Sequence, residues 1–345
     1  MEGGGTRMNS RLRFLAGVAS ALFLATVFGD AIIAADARER GPLAGIGRNL
    51  QRLARAAPPG SERGRPDLAR EGQRVTVNVG GERREYLLYV PSAYRPGTPI
   101  ALVMAFHGGG DNIDHMARFT RYPAVAEQER FIVAIPQGVA RTWNAGSGRG
   151  EGAAEDRNID DLGFVRAMLT QIKSTYAIDP RRVYASGMSK GGMLAYYIAC
   201  NMSEEIAAIT VVSTTMTAAR CNPSNPVAVL HIQGSADENV PLTGGRGKYT
   251  ARGTSYPPVQ QAIDLWRTRN SCSANITQMP LSPDTTCRVY SGCQAEVRLC
   301  LVQNGGHAWP GQDVERWQER ANYYVTRSFD ATVLSWQFFV QHPKS

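Results

Sequence analysis

The stretch Val183-Tyr184-Ala185-Ser186-Gly187-Met188-Ser189-Lys190-Gly191-Gly192-Met193 constrains this chain more than any other. An apolar run of strand character leads into Gly187-x-Ser189-x-Gly191, and Met193 to Ala199 then reads as a helix. A serine on so tight a strand-to-helix turn stands exposed at the edge of a sheet, where it can act as a nucleophile. The flanking glycines have a steric reason, because a Cβ on either side would collide with the neighbouring strand or helix. The motif by itself is weak evidence. With 35 glycines in the chain, chance supplies roughly 0.2 such matches, and the alternative is a glycine-rich turn with a solvated serine. Context decides.

A serine hydroxyl is a poor nucleophile at neutral pH and needs a histidine to take its proton and an acid to orient that histidine, in the chain order serine, acid, histidine. Val227–Ile232 reads as a strand that delivers Asp237 just beyond its end, and His307 follows the strand-like Leu299–Val302. Both reach the carboxyl edge of a parallel sheet, where ligands bind in this architecture. Ser189, Asp237 and His307 are therefore the expected catalytic set. An oxyanion needs backbone N–H donors. The amide of Lys190 is one candidate, and Gly108 or Gly109 in His107-Gly108-Gly109-Gly110 the other. Among the remaining histidines, His231 falls inside a strand and reads as a core residue, His107 as a brace for the oxyanion loop, and His342 as part of the tail. Glu238 is a close rival to Asp237. Asp264 falls within a helix and reads as a solvated face, and Asp160 and Asp161 as a helix cap or ion-pair partners. Trp143 and Trp309 sit in polar, glycine-rich loops and are expected to wall the substrate pocket, with a core position as the alternative. The Lys190 side chain is expected in solvent.

The net charge of +8 raises the question of nucleic acid. Residues 1–74 carry a net +5 and the rest of the chain only +3, so the basicity is concentrated ahead of the expected catalytic region and argues against nucleic-acid binding. Arg11 and Arg13 precede the apolar run Phe14–Phe28, and Ala35-Asp36-Ala37 resembles a cleavage site. This reads as an export signal, 1–37; the apolar run is short of the roughly 20 residues a stable membrane span needs. Residues 38–73, rich in Arg, Pro and Gly, read as a linker. Six cysteines without a C-x-x-C pair suit three disulfides in an exported protein better than a metal site. Cys200 and Cys221 flank one strand unit. Cys287 and Cys300 can face each other across a hairpin, which leaves Cys272 with Cys293; free buried thiols are the alternative. No metal or cofactor is expected.

Along 74–345, Val75–Val79 and Arg84–Val90 alternate about Gly80-Gly81, a hairpin signal. Ile100–Phe106, Phe131–Ile135, Ile206–Val212 and Val227–Ile232 are continuous apolar runs, the mark of strands buried on both faces. Helical segments lie between them at about 122–130, 160–176, 193–199 and 258–269, with a closing helix at 331–340. Alternating strands and helices predict an α/β chain with a doubly wound, mostly parallel sheet and an antiparallel N-terminal hairpin.

These pieces, in this order, resemble a known esterase family, the one that groups polyhydroxybutyrate depolymerases with feruloyl and acetylxylan esterases (carbohydrate esterase family 1). The matching motifs are His107-Gly108-Gly109-Gly110; Pro136-Gln137-Gly138 with Thr142-Trp143-Asn144; Asn158-x-Asp160-Asp161-x-Gly163-Phe164; Gly187-Met188-Ser189-x-Gly191-Gly192; His231-Ile232-x-Gly234-x-Ala236-Asp237-x-x-Val240-Pro241; and Gly306-His307-x-Trp309-Pro310-Gly311. The resemblance implies an α/β-hydrolase with Ser189, Asp237 and His307 as its triad. Lys190 departs from the family's small residue at that place. No appended substrate-binding module is visible after Gly311, which favours oligomers or small esters over crystalline polymer. The resulting expectation is a secreted or periplasmic serine carboxylesterase that forms an acyl-enzyme. Hydroxyalkanoate oligomers or polyesters of the polyhydroxybutyrate type are its first expected substrates, and feruloyl or acetylxylan esters the alternative. A catalytically silent binding protein on a hydrolase scaffold is the reading from a different class. A peptidase of the same fold is disfavoured by the family pattern.

Overall fold

The computed structural model describes residues 72–345, apart from 251, together with Met1. The expected export signal, beyond Met1, and the expected linker up to residue 71 lie outside the described residues.

Ten strands form one sheet: β1 (Gln73–Val79), β2 (Glu82–Tyr89), β3 (Ile100–Phe106), β4 (Ile132–Pro136), β5 (Ile178–Met188), β6 (Ala208–Val212), β7 (Ala228–Gly234), then, past a two-stranded ribbon of β8 (Gly245–Arg246) and β9 (Ser255–Tyr256), β10 (Ile276–Ser282), β11 (Thr285–Tyr290) and β12 (Val297–Val302). Their spatial order is β1-β2-β4-β3-β5-β6-β7-β12-β11-β10. The central run from β4 to β12 is parallel. The hairpin β1–β2 closes one side and the meander β12–β11–β10 the other, both antiparallel. The parallel centre follows from composition, since β3, β4, β6 and β7 are buried along their whole length and only helices on both faces can achieve that.

The helices are α1 (Ile113–Thr120), α2 (Tyr122–Glu129), α3 (Ala153–Asp156), α4 (Asp161–Thr175), α5 (Lys190–Asn201), α6 (Val259–Arg269), α7 (Arg316–Arg320) and α8 (Ala331–Gln341). Strand alternation sorts them. Leu102, Met104 and Phe106 point to one face and pack with Phe164, Val165 and Leu169 of α4, Leu194 and Ile198 of α5, and Trp266 of α6. Tyr184 points to the other face and stacks on Phe339 of α8 at 4.6 Å, while Phe131 stacks on Trp336 of the same helix. This is the α/β-hydrolase arrangement.

Three disulfides tie the outer parts down. Cys200–Cys221 joins the end of α5 to the loop after β6, Cys287–Cys300 crosses β11 and β12 at paired positions, and Cys272–Cys293 closes the segment that bears β10 and β11. Several elements differ from the sequence reading: α1, α3, α7 and the ribbon β8–β9 have no counterpart in it, and two strands differ for identifiable reasons. Strand β5 starts at Ile178, before Asp179-Pro180, because the edge of that strand tolerates a proline where no ladder N–H is needed. Strand β10 carries little apolar signal, since it is an exposed edge whose pairing comes from β11.

Replacing both Cys200 and Cys221 by serine should cost about 3 kcal/mol from the freed loop. That is roughly 6–12 °C of melting temperature for a domain of this size, measured by calorimetry against the unmodified protein under oxidising conditions.

Candidate active site

Ser189 sits between β5 and α5 with φ 54° and ψ −122°, a region that a residue with a side chain rarely occupies. The surrounding glycines allow this. A Cβ on Gly191 would stand 2.1 Å from the Phe106 carbonyl oxygen, and one on Gly187 would stand 2.3 Å from that of Gly191. The strained turn is held by Ser189 N–H donating to Val212 O (3.0 Å) and Thr214 Oγ1–H donating to Ser189 O (2.7 Å).

The acid and the base arrive from β7 and β12. His307 Nδ1 lies 2.9 Å from Asp237 Oδ2, and both side chains are buried. The other Asp237 oxygen accepts from the backbone N–H of Asn239 and Val240, each at 2.9 Å. Because this carboxylate accepts, Nδ1 carries the imidazole proton and Nε2 keeps its lone pair. Ser213 brings the histidine loop to the serine turn. Its Oγ donates to Ala308 O (2.9 Å) and accepts from Ala308 N–H (3.2 Å), one residue after the Val212 carbonyl that holds Ser189. Ser189 Oγ and His307 Nε2 make no hydrogen bond to each other here; such contacts commonly tighten only around a substrate.

Gly108 reaches over the serine. A Cβ on it would lie 3.6 Å from Ser189 Cβ, and one on Gly109 would lie 3.7 Å from Lys190 Cβ. Among the described residues, the amides of Gly108, Gly109 and Lys190 donate to no protein group, so they remain available to an oxyanion. His107 is buried and braces this loop. Its Nδ1–H donates to Gly108 O (2.8 Å), and its Nε2 accepts from Gly138 N–H (3.0 Å). Burial holds its pKa below the usual value, so it stays neutral.

Three expectations are corrected. Trp143 is fully buried, with its indole N–H donating to His107 O (2.8 Å) and its ring edge-on to Phe106. Trp309 is likewise buried, bonded to Thr332 Oγ1. Polar loop sequence is no guide to burial when the indole N–H has an internal partner; both rings are core posts behind the site. The Lys190 side chain is not in solvent. It is 9% exposed, its Nζ held by Glu155 Oε1 (2.8 Å) and Glu151 Oε2 (3.0 Å). The rival acids lie elsewhere: Glu238 pairs with Lys248 and Asp264 with Arg267, all but Arg267 well exposed. Asp160 caps α4, and Asp161 pairs with buried Arg84 (2.7 Å) while accepting from Asn144 N–H.

Sequence reasoning missed Ser213, Thr214 and Gln233. The one signal was Gln233, which with His231 interrupts an otherwise apolar strand, four residues before the acid. It also missed the aromatic row that leads outward from the base. Trp317 lies 6.2 Å from the His307 ring, Tyr323 lies 5.9 Å from Trp317, and Tyr249, half exposed, lies 6.2 Å from Tyr323.

A profile of the Esterase PHB depolymerase family matches residues 84–259, just over half of the chain. Among characterised relatives, feruloyl esterase B of Piromyces equi is 24% identical over 65% of this chain and 42% of its own length, so this chain spans less than half of that protein. Feruloyl esterase D of Neurospora crassa is 25% identical over 74% of this chain and 84% of its own. Feruloyl esterase C of Emericella nidulans is 29% identical over 68% and 82%. Among solved structures, an acetyl xylan esterase from Aspergillus awamori superposes with a TM-score of 0.52 at 16% identity over 73% of this chain and 97% of that one, which speaks to the fold alone.

One ion-pair cluster links the segment after the glycine run to the start of α7 and is sensitive to pH. His115 on α1 lies between Asp111, on the oxyanion loop, and Glu315, which leads into α7. The hydrogen bonds to Asp111 and Glu315 raise its pKa to about 9. A raised folded-state pKa stabilises fully below the unfolded value, about 6.5, and the stabilisation is lost as pH rises through 9. Thermal melts of the wild type and His115→Gln should therefore differ most between about pH 5 and 6.5, where the imidazolium and both carboxylates are charged, and converge above about pH 9.5.

Proposed function

We propose a reaction for a chain that belongs to the Esterase PHB depolymerase family and is a carboxylic ester hydrolase: hydrolysis through a covalent acyl-enzyme on Ser189. The observation that carries this reading is the buried Asp237–His307 hydrogen bond set beside a strained serine turn. His307 Nε2 takes the Ser189 proton as Oγ attacks the ester carbonyl. The tetrahedral oxyanion is received by the amides of Lys190 and of Gly108 or Gly109. As it collapses, the C–O bond to the alcohol breaks and His307 returns the proton to the departing oxygen. A water molecule then repeats the sequence on the acyl-serine, His307 taking its proton, and the carboxylic acid leaves with Ser189 restored.

The imidazole protonates the leaving oxygen, so the alcohol half of the ester lies on the His307 side, towards Trp317, Tyr323 and Tyr249. An amphipathic row of that kind suits the feruloyl esters that the fungal relatives' names describe. Hydroxyalkanoate oligomers are the second reading, favoured by the family's own description. Export is supported by the three disulfides.

Ser189→Ala should lower ester turnover by about 10⁶-fold and abolish labelling by a fluorophosphonate, with the melting temperature unchanged. Labelling of the unmodified protein excludes the silent-scaffold reading. Asp237→Asn should cost about 10⁴-fold in kcat by stabilising the wrong tautomer. A panel of methyl ferulate, acetylated xylan and 3-hydroxybutyrate oligomers ranks the substrates; faster turnover of the oligomers than of both others would reverse the preference.

A further inference from the structure

A buried polar chain runs from the core of the protein to the acid. Tyr196 of α5 donates its hydroxyl proton to His231 Nδ1 (2.8 Å). That leaves the His231 proton on Nε2, which faces Gln233 Oε1 at 3.2 Å. The same Oε1 accepts from Thr214 N–H (3.0 Å), and Thr214 holds the Ser189 carbonyl. The other end of the amide, Gln233 Nε2, donates to Val240 O (2.9 Å) and to Asp237 Oδ2 (3.1 Å), the very oxygen that receives His307. His231 and Gln233 are fully buried, as is Tyr196.

Every hydrogen-bonding position of the Gln233 amide is used, two donors facing its oxygen and two acceptors facing its NH2. A flipped amide would set NH2 against the Thr214 N–H and a carbonyl against the Asp237 carboxylate. Thr214 N–H, Val240 O and Asp237 therefore select one orientation, and the Gln233 oxygen in turn calls for the His231 proton on Nε2, with Tyr196 donating to Nδ1. We propose that Gln233 is a positioning residue of the catalytic acid: locked by His231 and Thr214, it supplies the side-chain donor that holds Asp237 Oδ2 in line with His307 and limits its basicity. This deepens the acyl-enzyme reading, since it takes Asp237 and His307 as the working pair.

The consequence is a proton-affinity effect. Removing the donor leaves Asp237 a stronger base, and a stronger base raises the affinity of His307 for its second proton. The other titratable groups around Asp237 do not compete. Tyr256 is pushed up to about 12 by burial, and burial raises Tyr323 as well, so both remain neutral. Burial holds His231 down to about 4. Glu238 points outward onto Lys248.

The test compares the wild type with Gln233→Leu and the isosteric Gln233→Glu. One readout is the pH profile of kcat/KM on a small ester. The other is the low-field imidazole proton resonance of the Asp237–His307 pair, which requires no turnover. Gln233→Leu should move the acidic limb, and the titration of that resonance, upward by about 0.5–1 pH unit, and lower kcat at least tenfold with KM changed less than threefold. Gln233→Glu places a second carboxyl against Asp237. It should retain activity only where that carboxyl is protonated and lose it as pH rises through its titration. If both variants keep the wild-type midpoints within about 0.2 unit and lose activity only in step with their melting temperature, Gln233 is structural and the proposal fails. If the resonance shifts as expected while unmodified enzyme fails to label with a fluorophosphonate, the fault lies with the acyl-enzyme reading and not with the role of Gln233.

Discussion

The site depends on one close approach: the N-terminus of α5 against the carboxyl ends of β3 and β5. Gly187 and Gly191 leave no room for a methyl group there. That contact brings the Lys190 amide, the Gly108–Gly109 loop and Ser189 together and forces Ser189 into positive φ. A strained residue costs of order 1–3 kcal/mol and persists only where its surroundings over-determine it. Val212 and Thr214 do so through the hydrogen bonds they share with Ser189. The proposed nucleophile is a product of backbone packing before it is a product of its own chemistry.

The acid and base are held by a different means. Asp237 and His307 stand three and five residues past the ends of β7 and β12, and a loop alone does not position a carboxylate to a fraction of an ångström. The polar network supplies the precision. Ser213 joins the histidine loop to the serine turn, and Gln233 joins the acid to Thr214. A buried polar network is worth having only when every member is satisfied, and the Gln233 amide meets that condition.

Much of this was legible in the sequence because the governing signals are local. Apolar runs announce strands buried on both faces, glycines announce the two backbone approaches, and chain order points to Asp237 and His307, which the fold brings into hydrogen bond. The paired cysteines followed from which strands are neighbours. What escaped depends on contacts between distant residues. Trp143 and Trp309 look like pocket walls because their loops are polar, yet each indole finds an internal acceptor. Nothing in the sequence singles out Trp317, and only the fold brings it beside His307. Strand β10 shows no alternation, because its partner strand defines it.

Lys190 shows the same division within one residue. Its amide is positioned by the helix N-terminus and is the proposed oxyanion donor; its side chain turns away to two carboxylates more than thirty residues earlier in the chain. A lysine held by Glu151 and Glu155 at under a tenth exposure cannot be removed cheaply, because the carboxylates would be left buried without a counter-charge. Those glutamates belong to the loop that begins at Trp143, whose indole holds the His107 carbonyl and so the glycine run. Glu155 also accepts from Ser147 and from the Glu151 amide, so the loop folds about the carboxylate that grips the lysine. Lys190 thus joins the two walls of the proposed oxyanion site: the helix that offers one amide is ion-paired to the segment whose tryptophan steadies the other.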